Sequence, residues 1–359
     1  MDKTRVALIG CGATGLEIGR SLVGRSDAEL VAAVDTDPAK AGRPLGELLG
    51  TDTLEPSVRA ELEGLTAEDV DVAVVTVGST VASVTPVLER LAAAGIDVIS
   101  LCEELAYPWF DDPAGAARLH RHAERHRTSI LATGCNPGFL MDTLPIVVSA
   151  SMQTVERVSI ERTTDLSPYG PLLGKFGFGL SPEEYAARSR SGDVVGHIGF
   201  RQSIAHLAHA LGLELEAIEV DAPEPVVVAA AERRGAILRV PAGTVAAVRH
   251  TARGIVAGEA AISCLANFGF LAPEDGLERG DRWRFEGAGR TVELSSATGF
   301  DSWETTIAVL VNLIGALGGA PSGLLTMSDI PVGALAAKGS RLAPAPSPVE
   351  AVQRTQALS

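Results

Sequence analysis

The sequence predicts an α/β chain in two parts: an N-terminal Rossmann-type doubly wound parallel sheet, then a second α+β domain whose sheet is mostly antiparallel. Three observations carry that prediction. Short all-apolar runs alternate with helical patterns before residue 150, as in a parallel sheet covered on both faces. A G-x-G-x-x-G sequence separates the first run from the first helical pattern. Beyond residue 150 strand-like runs succeed one another with few helices between them, which suits an antiparallel sheet with helices on one face.

Taken in order, residues 6–9 read as a buried strand and 13–23 as a helix. Strands follow over 30–34 and 71–77, a helix over 81–94, and a strand over 96–100. A polar amphipathic helix over 113–127 leads into a strand over 129–133. Crossovers between such strands are right-handed, which gives the doubly wound arrangement. In the second half, 155–163 alternates apolar and polar residues as a half-buried strand does. Further strands are expected over 225–231, 237–240, 244–251, 258–267, 282–286 and 291–296, with helices over 201–211 and 303–317. The 359 residues suit two domains at roughly 100–200 residues each. The expected division is a dinucleotide-binding domain over 1–145 and a substrate and oligomerisation domain over 146–320. A C-terminal segment over 321–359 is expected to pack back on the first domain.

Composition excludes several classes. With 46% hydrophobic and 21% charged residues, the chain is no disordered segment. A net charge of −15 argues against nucleic acid and anionic lipid as partners. Cys11, Cys102, Cys135 and Cys264 are widely spaced, with no C-x-x-C pair for zinc or redox work. His122 and His126 stand in H-A-E-R-H, not H-E-x-x-H, so no metal site is expected. The most apolar helical stretch, 307–320, is interrupted by Asn312 and falls short of the ~20 residues of a membrane span. A cytoplasmic enzyme is the expectation.

The glycine sequence is Gly10-Cys-Gly12-Ala13-Thr14-Gly15. Strand before, helix after and an acid about 20 residues on (Asp35) are the three contexts that make it a dinucleotide loop. Gly10 permits the tight turn, Gly12 lets a pyrophosphate approach the backbone, and Gly15 lets helix and strand pack closely. The pyrophosphate then meets the free N–H groups of the helix start. Asp35 suits ribose hydroxyls and repels a 2′-phosphate, so NAD is favoured slightly over NADP. Lys40 offsets that repulsion if it turns inward; otherwise it is a solvated residue. Gly78 and Ser79, after the third strand, are expected in the same groove, unless Ser79 is a plain helix cap, and Cys102, after the fourth, either joins them or is a small buried side chain. Asn136, in Asn-Pro-Gly after the fifth strand, either bonds the nicotinamide carboxamide or simply forms a turn.

Cys102-Glu103-Glu104 follows the fourth strand, at the sheet edge where ligands bind. Sugar and inositol dehydrogenases of similar layout carry Glu-Lys-Pro here, with the lysine beside the nicotinamide. A lysine donates a proton to a carbonyl or alcohol oxygen. A carboxylate instead stabilises ammonium and iminium species and takes a proton from an attacking amine. The change of sign points to redox chemistry at C–N bonds.

The fragments SLCEELAYP, ATGCNPGF-MDTLP (132–145), GKFGFGLSPEEY (174–185) and GHIGF-QSI (196–204) resemble the 2,4-diaminopentanoate dehydrogenase group and the native amine dehydrogenases. These belong to the dihydrodipicolinate-reductase-like set, and the resemblance runs to about residue 333. It implies NAD(P)-dependent oxidative deamination of an amine, or reductive amination of a small ketone or aldehyde with ammonia. It maps the catalytic glutamate onto Glu104, with Glu103 in reserve, and implies a homodimer. It also points to Met141, Tyr169, Leu173 and Phe176 as the substrate pocket, and to His197 beside it. The expected substrate is small and mainly apolar. The alternatives are 2,4-diaminopentanoate itself, whose carboxylate would need Lys175 or Arg162, and a non-catalytic NAD(P) sensor.

Overall fold

The computed structural model describes residues 3–51 and 54–331. The five apolar runs of the first half become strands and a short sixth joins them: β1 (Thr4–Ile9), β2 (Ala28–Val34), the short β3 (Val58–Arg59), β4 (Val72–Val75), β5 (Asp97–Ser100) and β6 (Ser129–Ala132). Between them lie α1 (Ala13–Leu22), α2 (Leu45–Leu49), α3 (Val81–Ala93) and α4 (Pro113–His126), and α5 (Thr143–Ser149) follows β6. The second half holds β7 (Arg157–Asp165), α6 (Pro182–Ser191), α7 (Phe200–Leu211), β8 (Ala217–Val220), β9 (Glu224–Val228) and the ribbon β10 (Arg233–Arg234) with β11 (Arg239–Val240). Then come the long strands β12 (Val245–Val256), β13 (Glu259–Gly269), β14 (Gly280–Gly287) and β15 (Arg290–Ser296), the helix α8 (Ser302–Leu317) and β16 (Gly323–Leu325).

The first sheet runs β16-β6-β5-β4-β1-β2-β3 and every pair in it is parallel. The chain winds one way from β1 to β3 and the other way from β4 to β6, so the order reverses between β1 and β4. Such a switch point opens a crevice at the carboxyl ends of the strands. Side chains alternate with period two: Val6 and Leu8 face one core with Ile18 and Leu22, while Ala7 and Ile9 face the other with Val84 and Leu88.

In the second sheet the order is β15-β14-β7-β13-β12-β8, with β9 also on β12. The β7–β13 pair is parallel and the other pairs are antiparallel. On β7 the inner face carries Val158, Ile160, Arg162 and Thr164, all buried, against an outer face that opens to Glu161. The indole Nε1 of Trp283 on β14 donates to Leu140 O at 2.7 Å and ties the sheet to the loop after β6.

Two elements return to the first sheet where sequence reading placed α8 in the second. Ile307, Leu310, Val311, Leu313, Ile314 and Leu317 of α8 are buried in the core that holds α1. Each such side chain is worth about 1.5–3 kcal/mol of burial, so this face fixes the helix on the first sheet. Asp301 caps it, accepting from Trp303 N (2.9 Å) and Glu304 N (2.8 Å). β16 then pairs with β6. The elements not expected from sequence are short (β3, β8, β10, β16, α2, α5) or, in α6, polar around most of the helix. Even so, α6 carries its signal in Ser181-Pro-Glu-Glu184, a capping box. The expected tail beyond 331 lies outside the described residues.

Candidate active site

The carboxyl ends of β1, β4, β5 and β6 bring Gly10, Thr76, Leu101 and Thr133 to one edge, joined across the ladder by Thr76 N to Ile9 O, Leu101 N to Val75 O and Thr133 N to Ser100 O. Gly10 has φ of 100°, and a Cβ there would lie 2.7 Å from Thr76 Oγ1. A Cβ on Gly15 would lie 2.0 Å from Gly10 O, so helix and loop meet backbone to backbone. Gly12 differs: nothing lies within 4 Å of its Cβ position, and α1 begins there without a side-chain cap. The first-turn amides of Ala13 and Thr14 therefore open on a space suited to an anion.

Asp35, just past β2, accepts from Cys11 N (2.7 Å), Asp37 N (2.8 Å) and Lys40 Nζ (3.0 Å). Burial works against its charge, but these three donors outweigh it and hold the carboxyl below the usual range. Lys40 has thus turned inward, and the acid that would repel a 2′-phosphate is paired with a cation.

The loop after β5 separates the two glutamates. Glu103–Ala106 forms a short 3₁₀ turn. The Glu104 carboxylate accepts from Val81 N at 2.8 Å, at the start of α3, while its own amide donates to Ser79 O at 3.2 Å. It caps a helix and faces an outer hollow. Glu103, held in reserve, lines the central cavity, whereas Glu104, expected as catalyst, lines a hollow that shares His197 and Ile198 with it.

That cavity, of about 440 Å³, runs from Thr14 on the glycine loop past Gly78, Ser79 and Cys102 to Tyr169, Leu173, Phe176 and His197. Among the described lining residues Glu103 is the sole acid and Lys175 the sole lysine or arginine. Met141 is not on the wall; it is fully buried in the core of the second sheet. Leu166 and Phe268 complete the apolar side, which sequence reading had not picked out because each lies on or beside a strand of the second sheet.

Three buried side-chain atoms have no hydrogen-bond partner among the described residues: Thr133 Oγ1, His197 Nε2 and Ser302 Oγ. All three residues line this cavity. Unpaired buried polar groups are costly, so their convergence marks a place where a ligand completes the bonding. The Asp301 cap could have placed Ser302 at a helix start, but not its approach to β6.

One expected ligand contact proves to be committed elsewhere. Arg162 and Asp281, both with 0% side-chain exposure, form an ion pair at 2.8 Å. Arg162 also donates to Phe300 O at 3.0 Å and Cys135 Sγ at 3.4 Å. Asn136 lines the cavity; with its amide turned to satisfy both ends it donates to Cys135 O at 2.7 Å and accepts from Arg162, with one of its two N–H donors left over. Nearby, buried Asp142 accepts from Gly138 N (2.8 Å), Thr143 N (2.6 Å) and Ser203 Oγ (2.8 Å) and anchors this loop.

The model of the 2,4-diaminopentanoate dehydrogenase C-terminal domain matches residues 139–342. The chain belongs to the 2,4-diaminopentanoate dehydrogenase family. A second model, described as a CoA binding domain, matches residues 1–104, the stretch from β1 to the paired glutamates. The 2,4-diaminopentanoate dehydrogenase of Acetoanaerobium sticklandii is 30% identical, covering 92% of this chain and 94% of that one. An amine dehydrogenase of Streptomyces virginiae is 27% identical, covering 90% and 95%. The structure of amine dehydrogenase from Mycobacterium smegmatis superposes with a TM-score of 0.78 at 22% identity, covering 92% and 96%, and shares the two-domain family fold. Among the described residues no helix is long and apolar enough to cross a membrane.

Proposed function

We propose that the chain is an NAD(P)-dependent oxidoreductase acting on CH–NH2 groups: an amine dehydrogenase that deaminates an amine oxidatively and, in reverse, aminates a small ketone or aldehyde with ammonia. One observation carries this reading: among the described lining residues Glu103 is the only acid on a cavity that begins at the glycine loop and ends at an aromatic wall. The names of both curated relatives support it. A sensor without turnover has no use for an acid placed there.

The glycine loop and α1 start fit the pyrophosphate, Asp35 with Lys40 the adenosine ribose, and the unpartnered hydroxyls of Thr133 and Ser302 the nicotinamide end. A bound nicotinamide takes up or supplies the hydride. The protein handles the protons and the charge. In the deaminating direction Glu103 faces the amine and stabilises the iminium left when hydride departs from carbon. It then accepts a proton from the water that adds to that carbon, returns it to nitrogen to make the leaving group, and takes up the hydroxyl proton as the carbonyl forms and ammonia leaves. Amination runs the same steps backward. Leu166, Leu173, Phe176 and Phe268 keep bulk water from the iminium. The chain works as a homodimer in this reading.

The test is NADH and NADPH oxidation at high ammonium with small ketones and aldehydes, for wild type and Glu103→Gln. Turnover should require ammonia and fall by about 10²–10⁴-fold in the variant. Turnover indifferent to ammonia would make the protein a carbonyl reductase and refute the proposal.

A further inference from the structure

Lys175 has no role in the chemistry above, yet it is the most unusual charge in the cavity. The chain has only four lysines, and this one lies in the 3₁₀ segment Pro171–Phe176 on the substrate side. Its carbonyl accepts from Val195 N and Gly196 N, both at 3.0 Å, so its backbone is clamped against the residues just before His197. Its ammonium sits 5.5 Å from the centre of the Phe176 ring. Among the described residues it has no hydrogen bond and no ion pair; Glu103 reaches it only through space. Burial draws the Lys175 pKa below the ordinary lysine range, with Glu103 opposing.

An ammonium has three donors, and the face of one ring satisfies none of them fully. Buried charges are normally paired, so an unpaired one aimed into a cavity asks for an anion. The neighbouring His197 agrees. Burial, with Lys175 and His250 adding to it, holds its imidazole well below the usual range and therefore neutral, and its buried Nε2 lacks a partner. Besides the unpartnered hydroxyls of Thr133 and Ser302, the cavity thus offers one negative group, one positive group and a neutral imidazole nitrogen, set between apolar walls.

We propose that Lys175, with His197 beside it, seats a carboxylate on the substrate, so that the site prefers amino acids bearing a single amino group, and their oxo-acid partners. This rests on the reading of Glu103 as the group facing the amine. It departs from the small apolar amine expected from sequence, which would leave Lys175 unpaired. It departs equally from a diamino acid, whose second ammonium finds no second carboxylate among the described lining residues.

The experiment compares 2-aminopentanoate, 4-aminopentanoate, 2-aminopentane and 2,4-diaminopentanoate as substrates of the full chain with NAD and NADP. Wild type, Lys175→Met and Lys175→Arg are assayed, and calorimetry measures pentanoate binding to the cofactor-loaded protein. One of the monoamino acids should exceed 2-aminopentane in kcat/KM by about 10–100-fold, the usual scale for a hydrogen bond between charged groups. It should exceed 2,4-diaminopentanoate as well. Lys175→Met should remove that advantage through KM and abolish pentanoate binding, lower kcat/KM for 2-aminopentane far less than for the amino acid, and be rescued in part by Lys175→Arg. Equal wild-type turnover with and without a carboxylate overturns the proposal, as does a preference for the diamine or pentanoate binding that survives Lys175→Met. Should Lys175→Met fail to fold, the wild-type preferences decide. No amine turnover, with Lys175-dependent pentanoate binding, defeats the enzymatic reading and spares the seat. Amine turnover indifferent to carboxylates does the opposite.

Discussion

Replacing Asp281 by asparagine should be among the most damaging single changes in this protein. Asp281 Oδ1 accepts from Arg162 Nε at 2.8 Å, and Oδ2 accepts from Phe300 N at 2.7 Å and more distantly from the guanidinium at 3.5 Å. An amide has one oxygen, so whichever way it turns its NH2 meets a donor. Arg162 keeps its charge at zero exposure, with Phe300 O and Cys135 Sγ beside it but no carboxylate to balance it. Breaking a buried pair this way costs about 3–5 kcal/mol. At about 2–4 °C per kcal/mol for a domain of this size, the melting temperature should drop by about 6–20 °C. Scanning calorimetry reads the change directly. The paired replacement Arg162→Met with Asp281→Leu removes both charges and should recover most of the loss. A single variant melting within about 2 °C of wild type, or a double variant no better than the single, would refute this reasoning.

The paired glutamates should separate in kinetics. Glu104→Gln weakens one cap bond, costing about 0.5–2 kcal/mol of stability with kcat nearly unchanged, whereas Glu103→Gln lowers kcat by about 10²–10⁴-fold without shifting the melting point; equal kcat losses would return the catalytic role to Glu104. Lys40→Ala leaves Asp35 uncompensated, so KM for NADP should rise about 10–100-fold more than KM for NAD, and an unchanged ratio of the two would remove Lys40 from cofactor choice. Gly15→Ala forces a Cβ to within 2.0 Å of Gly10 O and should abolish NADH binding measured by fluorescence, with about 1–3 kcal/mol of lost stability. For a carboxylate substrate, KM should climb as pH rises through the Lys175 pKa, because the ammonium is what binds. Burial sets that rise below the ordinary lysine range, Glu103, His197 and His250 being the titratable neighbours. Lys175→Met should show no such climb in a pH series.

The first sheet was legible because its strands are continuous apolar runs with a glycine loop at the switch point, and local sequence dictates both. The second sheet was legible in its long strands, where alternation is visible, as at Val158, Ile160 and Arg162. The position of α8 was not, since an apolar helix face does not say which of two cores receives it. The acidic loop shows the same limit at the site. Glu103 and Glu104 are chemically identical neighbours, and only the three-dimensional approach of Val81 N to one of them decides which is free. Arg162 looked available for a ligand until Asp281, 119 residues away, appeared opposite it on β14.

The return of α8 and β16 to the first sheet makes the second sheet an insert, with both of its connections made on the first sheet. Cys135 N, just past β6, donates to Thr306 Oγ1 on α8 at 3.1 Å, so the outgoing and returning chain run side by side. Substrate-side residues such as Tyr169, Lys175 and His197 therefore form a cassette bounded by two neighbouring seams. Swapping the cassette between relatives would transplant a specificity while the nucleotide-binding half stays intact.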